Sequence, residues 1–355
     1  MSVITAGIIK QLVKIGRLCV VESGKVYDVT DFAERHPGGA DKVASNVGKD
    51  ITEILKDVKS HKHTSNAYSI LKQYYIGEYE IEGKHGGKSQ GDCTSTNEEV
   101  TNNNDGSCLF EDEMVDWSKP LMWQVADLKE KYFDWVHRPV DRQIRLFKSD
   151  LVEYFSMCSW YIVPMVWCPV AAVFTWLSYQ RLSSGECVWR TLFGNVQLTE
   201  KYLPVFIAFG ALCWTLAEYI IHRWLFHLQP PANCPLLIQF HFLMHGQHHK
   251  TPMDKRRLVF PPVPASVLGF LIYLVYSVLF VEGICFAMMA GSVIGYLMYD
   301  LTHYFLHHGT PTSNYFKELK RYHVMHHYVD QQNGFGISSK IWDYPFGTII
   351  RDKEE

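Results

Sequence analysis

Ten histidines between His222 and His327 carry the strongest chemical signal in the chain. They fall into four groups: His222 and His227; His245, His248 and His249; His303 and His307; and His323, His326 and His327. Residues three and four apart share a face of a helix. Each His-x-x-His-His run therefore presents its three rings in one direction, and the His303–His307 pair does the same. His222 and His227 are five apart, about 140° around a regular helix. They converge only if the helix ends between them; otherwise they serve different metals. Neutral imidazole is a ligand for zinc, iron, copper and nickel. Ten such ligands exceed the needs of one ion and suit two ions with about five each. A single histidine is more often an ordinary core or surface residue. Two copies of one three-histidine spacing, each at the end of an apolar stretch, are not explained that way. His241, one turn before His245, reads as a partner or a spare ligand. His308 lies off the His303–His307 stripe and precedes Gly309, so it reads as a loop residue, and His137 reads as structural.

The elements that must position these rings divide the chain of 355 residues into a small soluble domain (9–82), a linker (83–113) and a membrane domain (114–355). Net charge is close to zero at −3, which argues against nucleic acid as a partner. The cysteines show no Cys-x-x-Cys spacing, which favours a reducing compartment over a disulfide framework. Cys19, Cys158, Cys168, Cys213 and Cys285 sit among apolar residues and are expected to be packed inside. The N-terminal stretch lacks the order of a secretory signal.

In the first domain, Val26-Tyr27-Asp28-Val29 alternates like a strand, and Thr30 or Asp31 is placed to cap the helix that follows. His36-Pro37-Gly38-Gly39 is a tight turn that would hold a histidine rigidly against a bulky ligand. The run from Val26-Tyr27-Asp28 through His36-Pro37-Gly38-Gly39 to His63 resembles a cytochrome b5 domain. That resemblance implies a b-type haem held axially by His36 and His63, with His61 the competing second ligand. The Thr-Ser-Asn-Ala that follows His63 favours it. Two axial imidazoles leave no open position, so such a haem passes electrons and does not activate oxygen. The linker is rich in Gly, Ser, Asn, Thr and acidic residues and cannot bury a core, so it reads as a flexible tether.

Four apolar stretches follow, at about 154–180, 202–221, 262–281 and 283–300, each close to the length that crosses a bilayer. The last two form a helical hairpin. Ahead of them, Trp117, Trp123, Tyr132, Phe133 and Trp135 with Arg138, Arg142, Arg145 and Lys148 read as a segment at the membrane interface, with a packed soluble helix as the alternative. Cations concentrate in Arg223–Arg257 and after His303, while Glu282 marks a hairpin tip without a cation. The positive-inside rule then puts both termini and all four histidine groups in the cytosol. The expected architecture is multidomain: a small α+β domain, then an all-α integral membrane domain with four transmembrane helices and a cytosolic helical cap carrying a dimetal site.

Several stretches of the membrane domain resemble the fatty acid hydroxylase superfamily. They are Val115-Asp116-Trp117-Ser118-Lys119-Pro120, Trp135-Val136-His137-Arg138-Pro139-Val140, His222-Arg223-Trp224-Leu225-Phe226-His227, His241 through His249, Tyr299-Asp300-Leu301-Thr302-His303-Tyr304, and Gly334-Phe335-Gly336-Ile337. The resemblance implies two metal ions on His222, His227, His245, His248, His249, His303, His307, His323, His326 and His327, with no catalytic residue beyond these ligands. It further implies insertion of one oxygen atom at carbon 2 of a long fatty acyl chain, free or in ceramide, in the endoplasmic reticulum membrane. Oxygen chemistry beside an electron carrier favours iron, with zinc as a replacement in isolated protein. Dioxygen and an external NAD(P)H-dependent reductase are the implied co-reactants, because no dinucleotide fingerprint follows a strand. Asp300, Glu218 and Asp254 are candidates to orient the ligand rings. A b5-fused acyl desaturase is the nearest rival. Fused desaturases of that type tend to carry Gln at the first position of the last cluster, where this chain has His323.

Overall fold

The structure, a computed structural model, describes residues 3–33, 36, 39–56, 63, 65–80, 114–185, 187–191 and 194–350. It forms two compact units, Met1–Ser118 and Lys119–Glu355. The expected tether at 83–113, and with it His61, lies outside the described residues.

The first unit is a four-stranded mixed sheet in the order β1-β4-β3-β2, built from β1 (Val3–Thr5), β2 (Cys19–Glu22), β3 (Lys25–Asp28) and β4 (Tyr75–Glu80). Helix α1 (Ala6–Lys14) follows β1, and the short helices α2 (Thr30–Ala33), α3 (Ala40–Ala44), α4 (Thr52–Lys56) and α5 (Ser65–Lys72) lie between β3 and β4. Alternation along β3 sends neighbouring side chains to opposite faces. Val26 joins Ile4, Ile9, Cys19 and Val21 on one side, and Tyr27 joins Val20, Val29, Ile51 and Leu55 on the other. The sheet is therefore covered on both faces. Helix α2 is started by Asp28 and not by the Thr30 or Asp31 cap: its Oδ1 accepts the Thr30 N–H at 3.2 Å. The Thr30 hydroxyl also donates to Asp28 and accepts the Leu18 N–H at 2.8 Å, tying the helix start to the sheet.

In the second unit, α6 (Leu121–Asp127), α7 (Tyr132–Val136) and α8 (Asp150–Phe155) precede the first long helix, α9 (Ile162–Ser183). The apolar run expected from about 154 thus splits. Ser149 caps α8, accepting the Val152 N–H at 3.5 Å, and a non-helical stretch separates α8 from α9. After a two-stranded hairpin of β5 (Val188–Thr191) and β6 (Gly194–Gln197) come α10 (Leu203–Ile220), α11 (Pro235–His241), α12 (Gln247–Lys250), α13 (Pro262–Leu279), α14 (Glu282–His308) and α15 (Asn314–Tyr328). Among the described residues, four helical stretches are long and apolar enough to cross a membrane: Ile162–Ser183, Glu200–Phe226, Pro262–Leu279 and Glu282–His308. Helix α14 is the pivot, with 72% of its apolar window buried against 6% for its hairpin partner α13.

Lipid tails give helices no hydrophobic reason to associate, so close backbone approach must do it. A Cβ on Gly291 of α14 would stand 2.0 Å from the Ile207 carbonyl of α10, so only glycine permits that crossing. Ser178 on α9 donates to the Gly283 carbonyl at 2.7 Å, fixing a third helix to the same pivot. Outward faces meet lipid instead of a core, which is why Cys168 is exposed and Cys213 only half-buried, against expectation, while Cys19, Cys158 and Cys285 are buried. The segment read as interfacial is mostly packing: Tyr132, Trp135, Val136, Ile144 and Leu146 are buried, and of its large apolar side chains only Trp123 is widely exposed. Lys250 explains part of this, since its Nζ donates to the Trp135 and Arg138 carbonyls at 2.8 and 2.7 Å.

Candidate metal centre

All ten histidines gather at one end of the long helices. Helix α10 runs directly into a π-helical turn, Ile221–Phe226, and the His227 N–H donates to the His222 carbonyl at 3.0 Å. That wider winding closes on the fifth residue instead of the fourth. It resolves the five-residue spacing in a way a regular helix does not, bringing the two ring centroids to 4.9 Å. A second π turn, Phe242–Gly246, leads into α12 and presents His245, His248 and His249. His303 and His307 occupy the last turns of α14, and His323, His326 and His327 the last turns of α15.

The rings sort into two sets of five. His222, His227, His245, His249 and His326 form one, and His248, His303, His307, His323 and His327 the other; within each set the nearest ring nitrogens all lie within 4.8 Å. Each His-x-x-His-His run is shared out. Its outer pair, one helical turn apart, enters one set and its middle histidine enters the other. In the first set the Nε2 atoms of His222 and His245 are 3.2 Å apart, those of His245 and His249 3.1 Å, and those of His227 and His326 3.0 Å. In the second, His248–His327, His307–His323 and His323–His327 stand at 3.0, 2.8 and 3.1 Å. Ligand nitrogens about 2.1 Å from a shared ion and at right angles would be about 3 Å apart.

Protonation agrees with this geometry. Burial pushes His227, His245, His248, His249, His323 and His327 well below the ordinary histidine range, and takes His326 down to about 4. The rings are therefore neutral, and clustered lone pairs would repel without a cation among them. Two rings have their tautomer set from behind: Nδ1 of His222 donates to the Phe335 carbonyl at 2.6 Å, and Nδ1 of His326 to the Asn333 carbonyl at 2.8 Å. Both leave Nε2 as the lone-pair nitrogen. The residues present thus fit two ions, and the all-imidazole donor set suits iron, zinc, copper or nickel.

The carboxylates singled out in the sequence hold loops and not rings. Glu218 accepts the Ile337 and Ser338 N–H groups at 3.1 and 2.8 Å and the Ser338 hydroxyl at 2.6 Å. Asp300 accepts the Phe260 N–H and the Tyr296 hydroxyl, each at 3.2 Å. Asp254 accepts the Arg256 N–H at 3.0 Å. The residue that sequence reasoning missed is Asp343, wholly buried, which accepts the Phe335 and Gly336 N–H groups at 2.9 Å each. It fixes the loop whose Phe335 carbonyl orients His222. A Cβ on Gly336 would come within 2.8 Å of its Oδ2, so the glycine of the Gly334–Ile337 motif is the only local hint. His241 enters neither set; its Nδ1 pairs with the Tyr132 hydroxyl at 2.5 Å, and burial takes it down to about 3. His137 stacks on Phe133 and accepts no place in either set. His308 stays on α14, as its last residue, instead of entering a loop.

Beside both sets lies a cavity of about 140 Å³ lined by His245, His248 and His303, by the polar Arg257, Gln247 and Ser156, and by apolar Phe226, Val259 and Phe260.

In the first unit His36 and His63 face each other with ring centroids 6.2 Å apart and planes 35° from parallel. An iron bonded to both at about 2 Å, from opposite sides, would set centroids about 6 Å apart. The Gly39 N–H donates to the His36 carbonyl at 2.8 Å, closing the turn, and Phe32 meets the His36 ring edge-on at 5.8 Å. The pair fits an axially ligated haem.

Residues 207–348 match the fatty acid hydroxylase family, and residues 8–80 match the cytochrome b5-like haem/steroid binding domain. A fatty acid 2-hydroxylase of Homo sapiens is 41% identical over 94% of this chain and 92% of its own. A ceramide very long chain fatty acid hydroxylase of Saccharomyces cerevisiae is 32% identical over 93% of this chain and 89% of its own. A solved structure titled full length scs7p, with only the hydroxylase domain visible, aligns with a TM-score of 0.59 at 32% identity, covering 67% of this chain and 86% of that one.

Proposed function

The chain belongs to the fatty acid hydroxylase family with a cytochrome b5-like domain ahead of it, and from this we infer a 2-hydroxylase of long-chain fatty acyl groups in sphingolipid metabolism. The observation that carries the reading is the pair of five-histidine sets beside a part-apolar cavity. We assign His222, His227, His245, His249 and His326 to one ion and His248, His303, His307, His323 and His327 to the other. Bound there, a pair of redox-active ions, functionally iron, would supply the activation of dioxygen and the insertion of one oxygen atom into a C–H bond. Zinc has matching ligands and no redox chemistry, so zinc in purified protein would be a replacement.

The chain's own residues do the rest. His222 and His326 keep their lone pairs aimed inward through the Phe335 and Asn333 carbonyls. Phe226, Val259 and Phe260 give the cavity an apolar wall that matches an acyl chain. His36 and His63 would hold a haem between their rings, and that group would supply single-electron transfer. An external NAD(P)H-dependent reductase would be the source. The histidine end of the bundle also carries exposed Lys255, Arg256, Lys317 and Arg321, against exposed Arg190 and Lys201 and an Arg181 paired to Glu282 at 3.0 Å at the far end. By the positive-inside rule the cap and both termini face the cytosol, at the endoplasmic reticulum membrane.

The test is expression of the full chain in cells without endogenous 2-hydroxylase, with lipid mass spectrometry and metal analysis of anaerobically purified protein. The expected result is 2-hydroxy acyl sphingolipid and two ions per chain. A double bond in place of the hydroxyl, or no oxidised lipid from haem- and metal-loaded protein, overturns the reading.

A further inference from the structure

We propose that two short helices of the cap, α8 and α11, lie in the cytosolic leaflet and frame a side entrance through which the acyl lipid passes from the bilayer into the histidine cavity. The entrance rests on the 2-hydroxylase reading of that cavity, while the lipid contact is measurable without turnover. Of the residues lining the cavity, the exposed ones are Phe155, Leu243 and Pro264, and all three are apolar. A mouth that opened to water would carry polar groups at its rim. Apolar side chains left exposed together mark a contact with lipid or ligand. The three come from different elements: Phe155 ends α8, Leu243 lies in the π turn after α11, and Pro264 is in the first turn of α13.

Helix α8 has its polarity inverted. Its one buried residue is Glu153, which pairs with the buried Arg257 and accepts the Leu146 and Phe147 N–H groups at 3.0 and 2.8 Å. Leu151, Tyr154 and Phe155 are 68%, 65% and 62% exposed. A helix in water turns these faces the other way. Arg257 stands just ahead of α13, and α9 follows soon after α8, so α8 sits where two spanning helices start. Helix α11 contains no Asp, Glu, Lys or Arg. It buries Ile238 and His241, while Leu236, Phe240 and then Leu243 are exposed at the spacing of one helical stripe. Both apolar faces run into the rim, at Phe155 and Leu243. Through Pro264 the rim continues onto α13, whose apolar window is only 6% buried. Lys148, Lys255 and Arg256 are exposed next to α8, and the Arg256 carbonyl accepts the Cys158 N–H at 2.8 Å. Cations at that level meet lipid phosphates. An apolar outer face edged by cations is the pattern of a helix lying in the interface. Entry from the side also keeps the chain out of water, where each exposed methylene costs hydrophobic free energy. The head end of an acyl chain, where carbon 2 lies, is already level with such a mouth.

The experiment places the full chain in nanodiscs of phosphatidylcholine that carries a photoreactive diazirine on an acyl tail close to the head group. Proteolysis and mass spectrometry then map the labelled residues. Val267 and Phe270, exposed on the spanning helix α13, calibrate tail contact, and exposed Lys317 and Arg321 on α15 calibrate water. The expected result is labelling of Leu151, Tyr154, Leu236 and Phe240 near the α13 level. Labels at the water level on both helices overturn the proposal, whether solvent, a second copy of the chain or the haem domain covers them. The second arm tests the entrance. Phe155→Glu and Leu243→Glu set a charge in the rim, and are expected to raise KM for a membrane-borne acyl lipid several-fold and by more than they lower kcat, with metal content and haem absorption unchanged. An unchanged KM in both variants overturns the entrance. Should the variants fail to fold, the labelling of wild-type protein decides alone. Absence of any hydroxylated product from wild type would instead sink the 2-hydroxylase reading and leave the labelling map to be read by itself.

Discussion

The two histidine assemblies solve different problems with the same side chain. In the first unit two rings oppose each other at 6.2 Å across a gap, both half-buried. In the second, ten rings crowd with nitrogens about 3 Å apart, all buried. Opposed rings leave room for a flat group that both would hold. Crowded rings leave room only for bare ions, and the cavity beside them keeps one side approachable. The first arrangement comes from a turn and a helix start in a small sheet domain. The second needs three long elements and two π turns, because ten ligands must converge from four stretches of chain.

Removing ligands separates the two most sharply. His248 and His249 are adjacent in sequence and fall in different sets. His248→Ala and His249→Ala should each retain about one ion, the double variant none, with hydroxylation down more than about 100-fold in all three, beyond the usual cost of disturbing a ligand's support. Mass-spectrometric metal counting checks this, and a double variant holding as much metal as either single would merge the sets into one site. Next in size, His36→Ala should abolish the haem absorption and bring hydroxylation to background while leaving both ions in place. Full turnover without haem would mean the fused domain is not the donor.

Acid distinguishes the assemblies more gently. An unfolded histidine protonates near about 6.5, whereas burial takes His326 in the cap down to about 4 and pushes His227 and His323 well below the ordinary range. The folded cap binds fewer protons than the unfolded chain below about 6.5, so the stability these rings contribute is whole above that pH and drains as pH falls towards 4. Metal release adds to the loss, since only neutral imidazole ligates. Between pH 7.5 and 5 the cap's thermal midpoint and metal content should fall together. A midpoint flat across that interval would contradict neutral burial of the ten rings.

Much of this was legible in the residues. His-x-x-His-His spacing implies convergence because helical periodicity is local, and charge-free runs of bilayer length announce spanning helices for the same reason. What stayed hidden depends on partners distant in sequence. The π turn at Ile221–Phe226 is set by tertiary packing, so His222 and His227 looked divergent on a regular helix. Interfacial character was read into Tyr132 and Trp135, which pair with His241 and Lys250, each more than a hundred residues later. Glu218 and Asp300 were expected to orient the rings and instead hold loops, and which loop each holds is a matter of fold, not spacing. Asp343 carried no signal, since a lone aspartate near the end of a chain looks like any surface residue.

Asp343 therefore gives the finest test of the contrast between the assemblies. Its Oδ1 accepts from Phe335 N–H and the Thr348 hydroxyl at 2.9 and 2.8 Å, and its Oδ2 from Gly336 N–H at 2.9 Å. Asp343→Asn keeps one acceptor and turns the other oxygen into a donor, which then faces a backbone N–H or the hydroxyl. One buried bond lost this way costs about 1–3 kcal/mol. The loop loosens where the Phe335 carbonyl holds His222, which belongs to the first set alone. Affinity for that ion should fall by about tenfold, as for other supports behind a ligand. The ion in the second set and the haem should be untouched. Competition with a chelator, followed ion by ion, measures it. Equal weakening of both ions would show that the loop braces the whole cap, and that the two sets share more of their scaffold than their separate ligands suggest.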